Sequence, residues 1–256
     1  IGNYTYDGTA TGTADITALA ITVTPDASQA KVYGSADPVF SYTSDPLIGG
    51  DVFTGALSRV AGEDVGAYAY TLGTLSAGNN YSLALNPGMF EITQKTLNVT
   101  ASGVNKVYDA NTTATVTLSD DRVLGDDVVL GYTATFSDKN VGTGKIVSVS
   151  AISITGGADM GNYVLGNTIA ETMADITPKL LTVSFTTFAN KTYNGNTTAT
   201  ITGRTLDGVI EGENVDVTGG SANFADKHIG LDKTVTATGF TLTGVDEGNY
   251  AVGTIN

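Results

Sequence analysis

Apolar and polar residues alternate with a period of two along most of the chain, as in "KIVSVSAISIT" (145–155), and such alternation predicts strands with one buried face. There Val147 and Val149 point one way, and Ile152 and Ile154 follow after a three-residue step to point the other. The same slip separates Val235 and Ala237 from Phe240 and Leu242 in "KTVTATGFTLT" (233–243), and Tyr70 and Leu72 from Leu75 in "YAYTLGTL" (68–75). An odd step inside a period-two pattern predicts a β-bulge or a strand passing from one sheet to another. Further strands are expected near 97–101, 113–118, 127–136, 162–166 and 170–176. No window of about 12 residues carries helical periodicity. Short helical turns fit only around 44–52 or 118–126.

The pattern repeats. "ADITALAITVT" (14–24), "FEITQKTLNVT" (90–100) and "ADITPKLLTVS" (174–184) share one seam, with Ile16, Ile92 and Ile176 each seven residues before a valine. "GNY" stands at 2–4, 161–163 and 248–250, with "GNNY" at 78–81. Lys-x-Tyr recurs as "KVYGSADP" (31–38), "KVYDANTTATV" (106–116) and "KTYNGNTTATI" (191–201), and "FSDKNVG" (136–142) is matched by "FADKHIG" (224–230). Three modules follow, over 18–93, 94–177 and 178–256, each of roughly 80 residues with six or seven strands. Residues 1–17 read as the closing strand of a preceding or neighbouring repeat, and the third module lacks that strand. The chain therefore reads as a window on a longer array or as a subunit whose residues 1–17 complete a neighbour. Linkers of two or three residues, one stiffened by Pro178, predict a semi-rigid rod. Three modules built on strands of about 8–10 residues should extend on the order of 100 Å.

Composition narrows the picture. Thr, Val, Ile and Tyr punctuated by Gly, Asn and Asp favour strands and turns. A net charge of −14, with 12 scattered Lys and Arg, argues against nucleic acid. The absence of Cys removes disulfides and thiolate metal sites. No run reaches the roughly 18–20 apolar residues of a membrane span.

The motifs "KVYDANTTATV", "GNY" and "ADITPK" resemble the YDG-type repeat, and "KVYGSADP…GTLSAGNNY" resembles the related MBG-type repeat. The resemblance covers essentially the whole chain. It implies tandem arrays in large bacterial surface or secreted proteins similar to filamentous-haemagglutinin-like adhesins, and it transfers no catalytic residue. The first module lacks "NTTAT" and "DK", which marks it as the MBG-type variant. The expected fold is mainly β, a tandem array of small Ig-like sandwich or β-grasp-like modules.

Candidate chemistry is sparse. Asp120, Asp121, Asp126 and Asp127 lie in "SDDRVLGDDV", where hard oxygen ligands would suit calcium, but the spacing is not that of an EF-hand, and a solvated acidic turn is the competing reading. His228 is the only histidine and reads as a solvated turn residue. Asp138/Lys139 and Asp226/Lys227 raise an isopeptide cross-link, against the simpler reading of an exposed charged turn. Tyr33, Tyr108 and Tyr193, with Tyr81, Tyr163 and Tyr250, suit a carbohydrate platform or buried rings whose hydroxyls are tied to backbone. Asn3, Asn98, Asn111 and Asn196 match the glycosylation sequon. No catalytic or cofactor-binding set is expected. The leading expectation is a non-enzymatic extracellular stalk or cell-surface fibre, associated with adhesion and biofilm, whose partners are neighbouring repeats of the same or an identical chain. The alternatives are an adhesive module for a glycan or host protein, or a filament subunit joined by β-strand addition.

Overall fold

A computed structural model describes residues 8–256. Asn3 and the first GNY, at 2–4, lie outside the described residues, as does the first part of the strand expected over 1–17. Residues 8–18 are exposed and belong to no strand. The protein is mainly β, and no helix is long and apolar enough to cross a membrane among the described residues.

The chain divides into two compact units. The first holds the described residues up to Thr96 together with 123–127 and 158–164. Its strands are β1 (Leu19–Pro25), β2 (Ala30–Val32), β3 (Tyr42–Ser44), β4 (Ser58–Arg59), β5 (Gly66–Thr71), β6 (Tyr81–Leu85) and β7 (Met89–Thr93). They form two sheets, ordered β3-β1-β6 and β2-β7-β5-β4. Each sheet contains one parallel pair, β1 with β6 and β2 with β7. Ile21 and Val23 on one sheet, and Tyr70, Phe90 and Ile92 on the other, supply the buried side chains. Phe40 packs edge-on against Phe90 at 5.0 Å and Tyr70 at 5.2 Å. Each large apolar side chain so buried contributes about 2 kcal/mol.

The second unit spans 97–122, 128–157 and 165–256. Between the units in chain order, β8 covers Lys95–Leu97. The second repeat then continues with β9 (Val99–Val104), β10 (Lys106–Val107), β11 (Thr115–Asp120), β12 (Val129–Phe136), β13 (Gly142–Gly156), β14 (Tyr163–Leu165) and β15 (Ala170–Thr177). β9 pairs with β11, and the larger sheet is ordered β10-β15-β13-β12. The third repeat supplies β16 (Lys179–Phe188), β17 (Thr198–Ala199), β18 (Ile201–Asp207), β19 (Asp216–Phe224), β20 (Val235–Thr243) and β21 (Tyr250–Ile255). Its sheets are β18-β16-β21 and β17-β19-β20.

The strand slips have three solutions. In β13, Gly131 faces Ser153 while Thr133 faces Ser150, so one residue of β12 opposes two of β13. Ala151, at φ 53°, takes the extra position. This bulge returns Ile152 to the face of Val147 and Val149, and all three are buried, so they do not point opposite ways. In the first repeat Ser58 faces Thr71 but Thr54 faces Ser76, which again leaves one extra residue on the second strand. In the third repeat β19 and β20 keep one register throughout. Both change phase together, at Gly219 and Gly220 on one strand and Gly239 on the other, all with positive φ.

The short helical turns fall elsewhere than expected. Among the described residues they are 3-10 turns at Met160–Asn162 and Glu247–Asn249, overlapping the start of the GNY motifs, and neither 44–52 nor 118–126 is helical. This tight turn buries Asn162 and Asn249 and presents their amides as ligands for backbone.

Candidate functional site

Three short turns have the same build. Ile48–Asp51, Val123–Asp126 and Ile210–Glu213 each read apolar-x-Gly-acid, and in each the acid's N–H donates to the carbonyl of the apolar residue, at 3.2, 3.2 and 3.1 Å. Gly50, Gly125 and Gly212 hold φ of 87°, 101° and 84°, the left-handed region that suits the third position of such a turn. A GNY tyrosine lies against each turn. Tyr81, Tyr163 and Tyr250 accept from the N–H of Ile48, Val123 and Ile210, at 3.0, 2.8 and 3.1 Å, and donate to Asp51, Asp126 and Glu213.

Two of these turns close on the Lys-x-Tyr tyrosine of the preceding repeat. In the first unit the Tyr33 hydroxyl donates to Asp126 at 2.8 Å, so Asp126 receives two phenols. In the second, Tyr108 donates to Glu213, which also receives Tyr250 and the Lys139 ammonium at 3.0 Å. The ring pairs match: Tyr33 meets Tyr163, and Tyr108 meets Tyr250, each edge-on at 5.5 Å and 76°. The GNY asparagine adds a second tie. Asn162 accepts from the Val65 N–H and Asn249 from the Val141 N–H, both at 2.9 Å. Asn162 donates to Asp64, and Asn249 to Asn140. Each arrangement is a clasp, with a tyrosine and a backbone N–H from one repeat and a carboxylate, a tyrosine and an asparagine from the next.

The electrostatics follow from burial and these bonds. Burial alone would raise the Glu213 carboxyl, but the donations from Tyr108, Tyr250 and Lys139 outweigh it and hold the group below its ordinary value. Burial, followed by the bond to the carboxylate, pushes Tyr163 and Tyr250 up to about 12 and raises Tyr33 and Tyr108 as well. A group whose folded pKa is raised contributes stability that is complete below the unfolded value, here 10.0, and is lost as pH rises through the folded one. Absorbance titration of the phenols should therefore show a late class near pH 12, with the clasps failing between pH 10 and 12. A titration in which all tyrosines ionise together near 10 would contradict the clasp.

The remaining motif residues shape the loops. Lys106 caps the "DANTT" loop through Asp109 at 2.7 Å, the Asn111 carbonyl at 2.8 Å and the Thr113 carbonyl at 3.0 Å. Lys191 caps "NGNTT" in the same way, through the carbonyls of Asn196 and Thr198 at 2.8 and 3.0 Å. The two ammoniums lie over Phe136 and Phe224. In the first repeat Lys31 instead joins Arg59, Asp37 and Glu63.

The four acidic candidates serve four tasks. Asp120 pairs with Arg122, and Asp121 accepts the N–H of Asn98 at 2.8 Å and its side-chain amide at 2.9 Å. Asp126 is the clasp acid, and Asp127 accepts from the Ala158 N–H. Among the described residues no group of three or more His, Cys, Asp or Glu is placed to hold a metal ion. His228 is exposed, with its N–H on Asp226. Asp138 pairs with Lys145 and Asp226 with Lys233, while Lys139 reaches Glu213 of the next repeat, a partner its solvated-turn reading missed. Tyr33, Tyr108, Tyr163 and Tyr250 are buried as expected, and the hydroxyls of Tyr163 and Tyr250 are tied to backbone as expected by accepting from the Val123 and Ile210 N–H, while all four donate to carboxylates. Tyr193 is 59% exposed. Asn111 and Asn196 are occupied by the lysine caps.

Comparison with protein families gives two matches. The YDG domain matches residues 93–171 and 177–256, and the MBG domain (YGX type) matches 21–91. The chain belongs to the YDG-domain family, with an MBG domain preceding two YDG domains. No curated protein matches the chain.

Proposed function

We propose that this chain is a structural spacer, a stalk segment of an extracellular bacterial adhesin or cell-surface fibre, and not an enzyme. The observation that carries the reading is the clasp, built twice with one geometry at successive seams. A buried carboxylate held by two phenols fixes orientation, because its acceptor sites are spent on donors from both repeats. A spacer needs such joints more than it needs a pocket. The same joint geometry at both seams fits a chain that holds its repeats in register.

A second reading, adhesion to a glycan or host protein, draws on one feature. A groove of about 540 Å³ in the third repeat is lined in part by Phe188, Tyr193 and Phe224. Its counterpart in the second repeat is occupied by a strand, β15, and this supports the spacer reading over a ligand site. Antibody labelling of intact producing cells, with a glycan array beside it, separates the readings. The spacer reading expects surface label that protease removes and no glycan bound. Label confined to lysed cells would overturn the surface assignment, and saturable glycan binding would overturn the spacer.

A further inference from the structure

The two seams share one geometry but not one set of charges. Val65 and Val141 stand at equivalent places, since each donates its N–H to a GNY asparagine, and the glycines after them, Gly66 and Gly142, pair with Ile92 and Ile176. Two residues before the valine, the first repeat carries Glu63 and the second Lys139. One residue before it, Asp64 stands where the second repeat has Asn140. Across the seam the clasp acid is Asp126 in one case and Glu213 in the other, followed by Asp127 and Asn214. The N–H groups of Asp127 and Asn214 both donate to an aspartate, Asp159 at 2.8 Å and Asp246 at 2.9 Å. At these positions the first seam gathers five acids and no lysine, and the second gathers two acids and one lysine.

Each edge is committed in a way that suits its own successor. Glu63 is spent within its own repeat, on Lys31 and Arg59. Asp64 accepts the side-chain amide of Asn162 at 3.0 Å, and Asp126 accepts the phenols of Tyr33 and Tyr163. At the second seam the lysine crosses over. Lys139 Nζ lies 3.0 Å from Glu213 and 6.0 Å from the centre of the Tyr108 ring. The bond to Glu213 is the main reason the Lys139 ammonium titrates high. Glu213 thus serves three donors, two phenols and an ammonium.

A mismatch is costly in both directions. Aspartate is one methylene shorter than glutamate. Set against the Lys139 edge, an aspartate held by its two phenols leaves the ammonium near a carboxylate without the charge-assisted bond. Set against the Glu63–Asp64 edge, a glutamate pushes a longer carboxylate toward two acids, and like charges in a half-buried place repel. The shared parts of the clasp, its tyrosines and its asparagine, are the same at both seams and tell no repeat from another. The information lies in the positions that differ, where one pairing attracts and the other repels.

We infer that the edge of each repeat selects the repeat that follows it: Glu63–Asp64 takes a YDG domain whose clasp acid is aspartate, and Lys139–Asn140 takes one whose clasp acid is glutamate. Lys139 and Glu213 are the pair that sets specificity at the second seam, and Glu63 and Asp126 stand in their places at the first. The seams are therefore not interchangeable, and their chemistry encodes the order MBG, YDG, YDG. This selection rests on reading the clasp as the joint between repeats.

Amide hydrogen exchange, followed by NMR on the full chain, tests the selection apart from the joint. Exchanging the two acids, Asp126→Glu with Glu213→Asp, leaves composition and charge unchanged. The seam amides of Val65, Val123, Val141 and Ile210 should nevertheless exchange about 10-fold faster, the size of one charge-assisted hydrogen bond, while those of Val147 and Val183 keep their native rates. Lys139→Met should give the same acceleration at Val141 and Ile210, and Lys139→Arg should not. Glu213→Asp should then add less than about 2-fold to Lys139→Met, because the pair acts as a unit. Native rates at the seam amides of the exchanged chain would overturn the selection, as would fully additive effects of Lys139→Met and Glu213→Asp. Glu213→Gln separates the two failures. If it opens the second seam where the exchanged acids do not, the joint stands and the selection alone falls. If it too leaves Val141 and Ile210 at native rates, the joint reading falls and the selection with it.

Discussion

Replacing Glu213 by Gln is expected to loosen the joint between the two YDG domains and lower the stability of the second unit by about 3 kcal/mol. The carboxylate takes donations from Tyr108, Tyr250 and Lys139, and its side chain is only 7% exposed. An amide offers one acceptor oxygen and turns an N–H₂ group toward a donor. Two buried phenols and an ammonium then compete for one oxygen. For a unit of this size the loss corresponds to a fall in Tm of roughly 6–12 °C by calorimetry. Acid should have the same effect on the native chain. The folded pKa of Glu213 is lowered, so its contribution is present above the ordinary value of 4.5 and lost as pH falls through the folded one. The variant, already uncharged at this position, should lose less over that window. Equal acid sensitivity in both proteins would show that Glu213 is not the group at work.

The second large effect is expected in the MBG domain. Lys31 and Arg59 have side chains 4% and 5% exposed, and both are neutralised by Asp37 and Glu63. Arg59 grips Asp37 with two nitrogens, at 2.7 and 2.9 Å, and lies over the rings of Tyr68 and Phe90. The bond from Arg59 is the main reason the Asp37 carboxyl titrates low. Asp37→Asn leaves two buried cations with one exposed carboxylate between them, and a cost of about 3–5 kcal/mol follows. Denaturant unfolding followed by tyrosine fluorescence should show this loss in the MBG domain while the YDG domains keep their transition. A double substitution, Asp37→Asn with Arg59→Met, should recover much of it, because it removes the stranded charge with its partner. If the single variant is as stable as the native chain, the network contributes nothing.

Much of the fold was legible in the sequence, for reasons that particular residues make plain. Period-two alternation located most strands to within a few residues, since a half-buried strand must alternate. The odd step at 149–152 is legible as a bulge because only an extra residue returns Ile152 to the face of Val149. The third-repeat slip has the same sequence signature but a different cause, paired glycines on two strands, and a single strand does not reveal its partner. The repeated tyrosines were read as buried rings tied to backbone. The backbone tie holds for Tyr163 and Tyr250, but the carboxylate partners of Tyr33 and Tyr108 lie 93 and 105 residues away and differ in type, Asp126 in one seam and Glu213 in the other. One local signal would have found them. "VLGD", "IEGE" and "IGGD" share an apolar residue two positions before Gly and an acid directly after it. Reading "SDDRVLGDDV" as one acidic cluster hid that pattern, because the four acids face different partners.

The central claim is that the clasp couples one repeat to the next. Residual dipolar couplings measured for the backbone amides of both YDG domains, in the native chain and in Glu213→Gln, test it most directly. The clasp requires one alignment tensor to fit 97–122, 128–157 and 165–256 in the native chain, and two different tensors, one for each domain, in the variant. Two independent tensors in the native chain at neutral pH would contradict it.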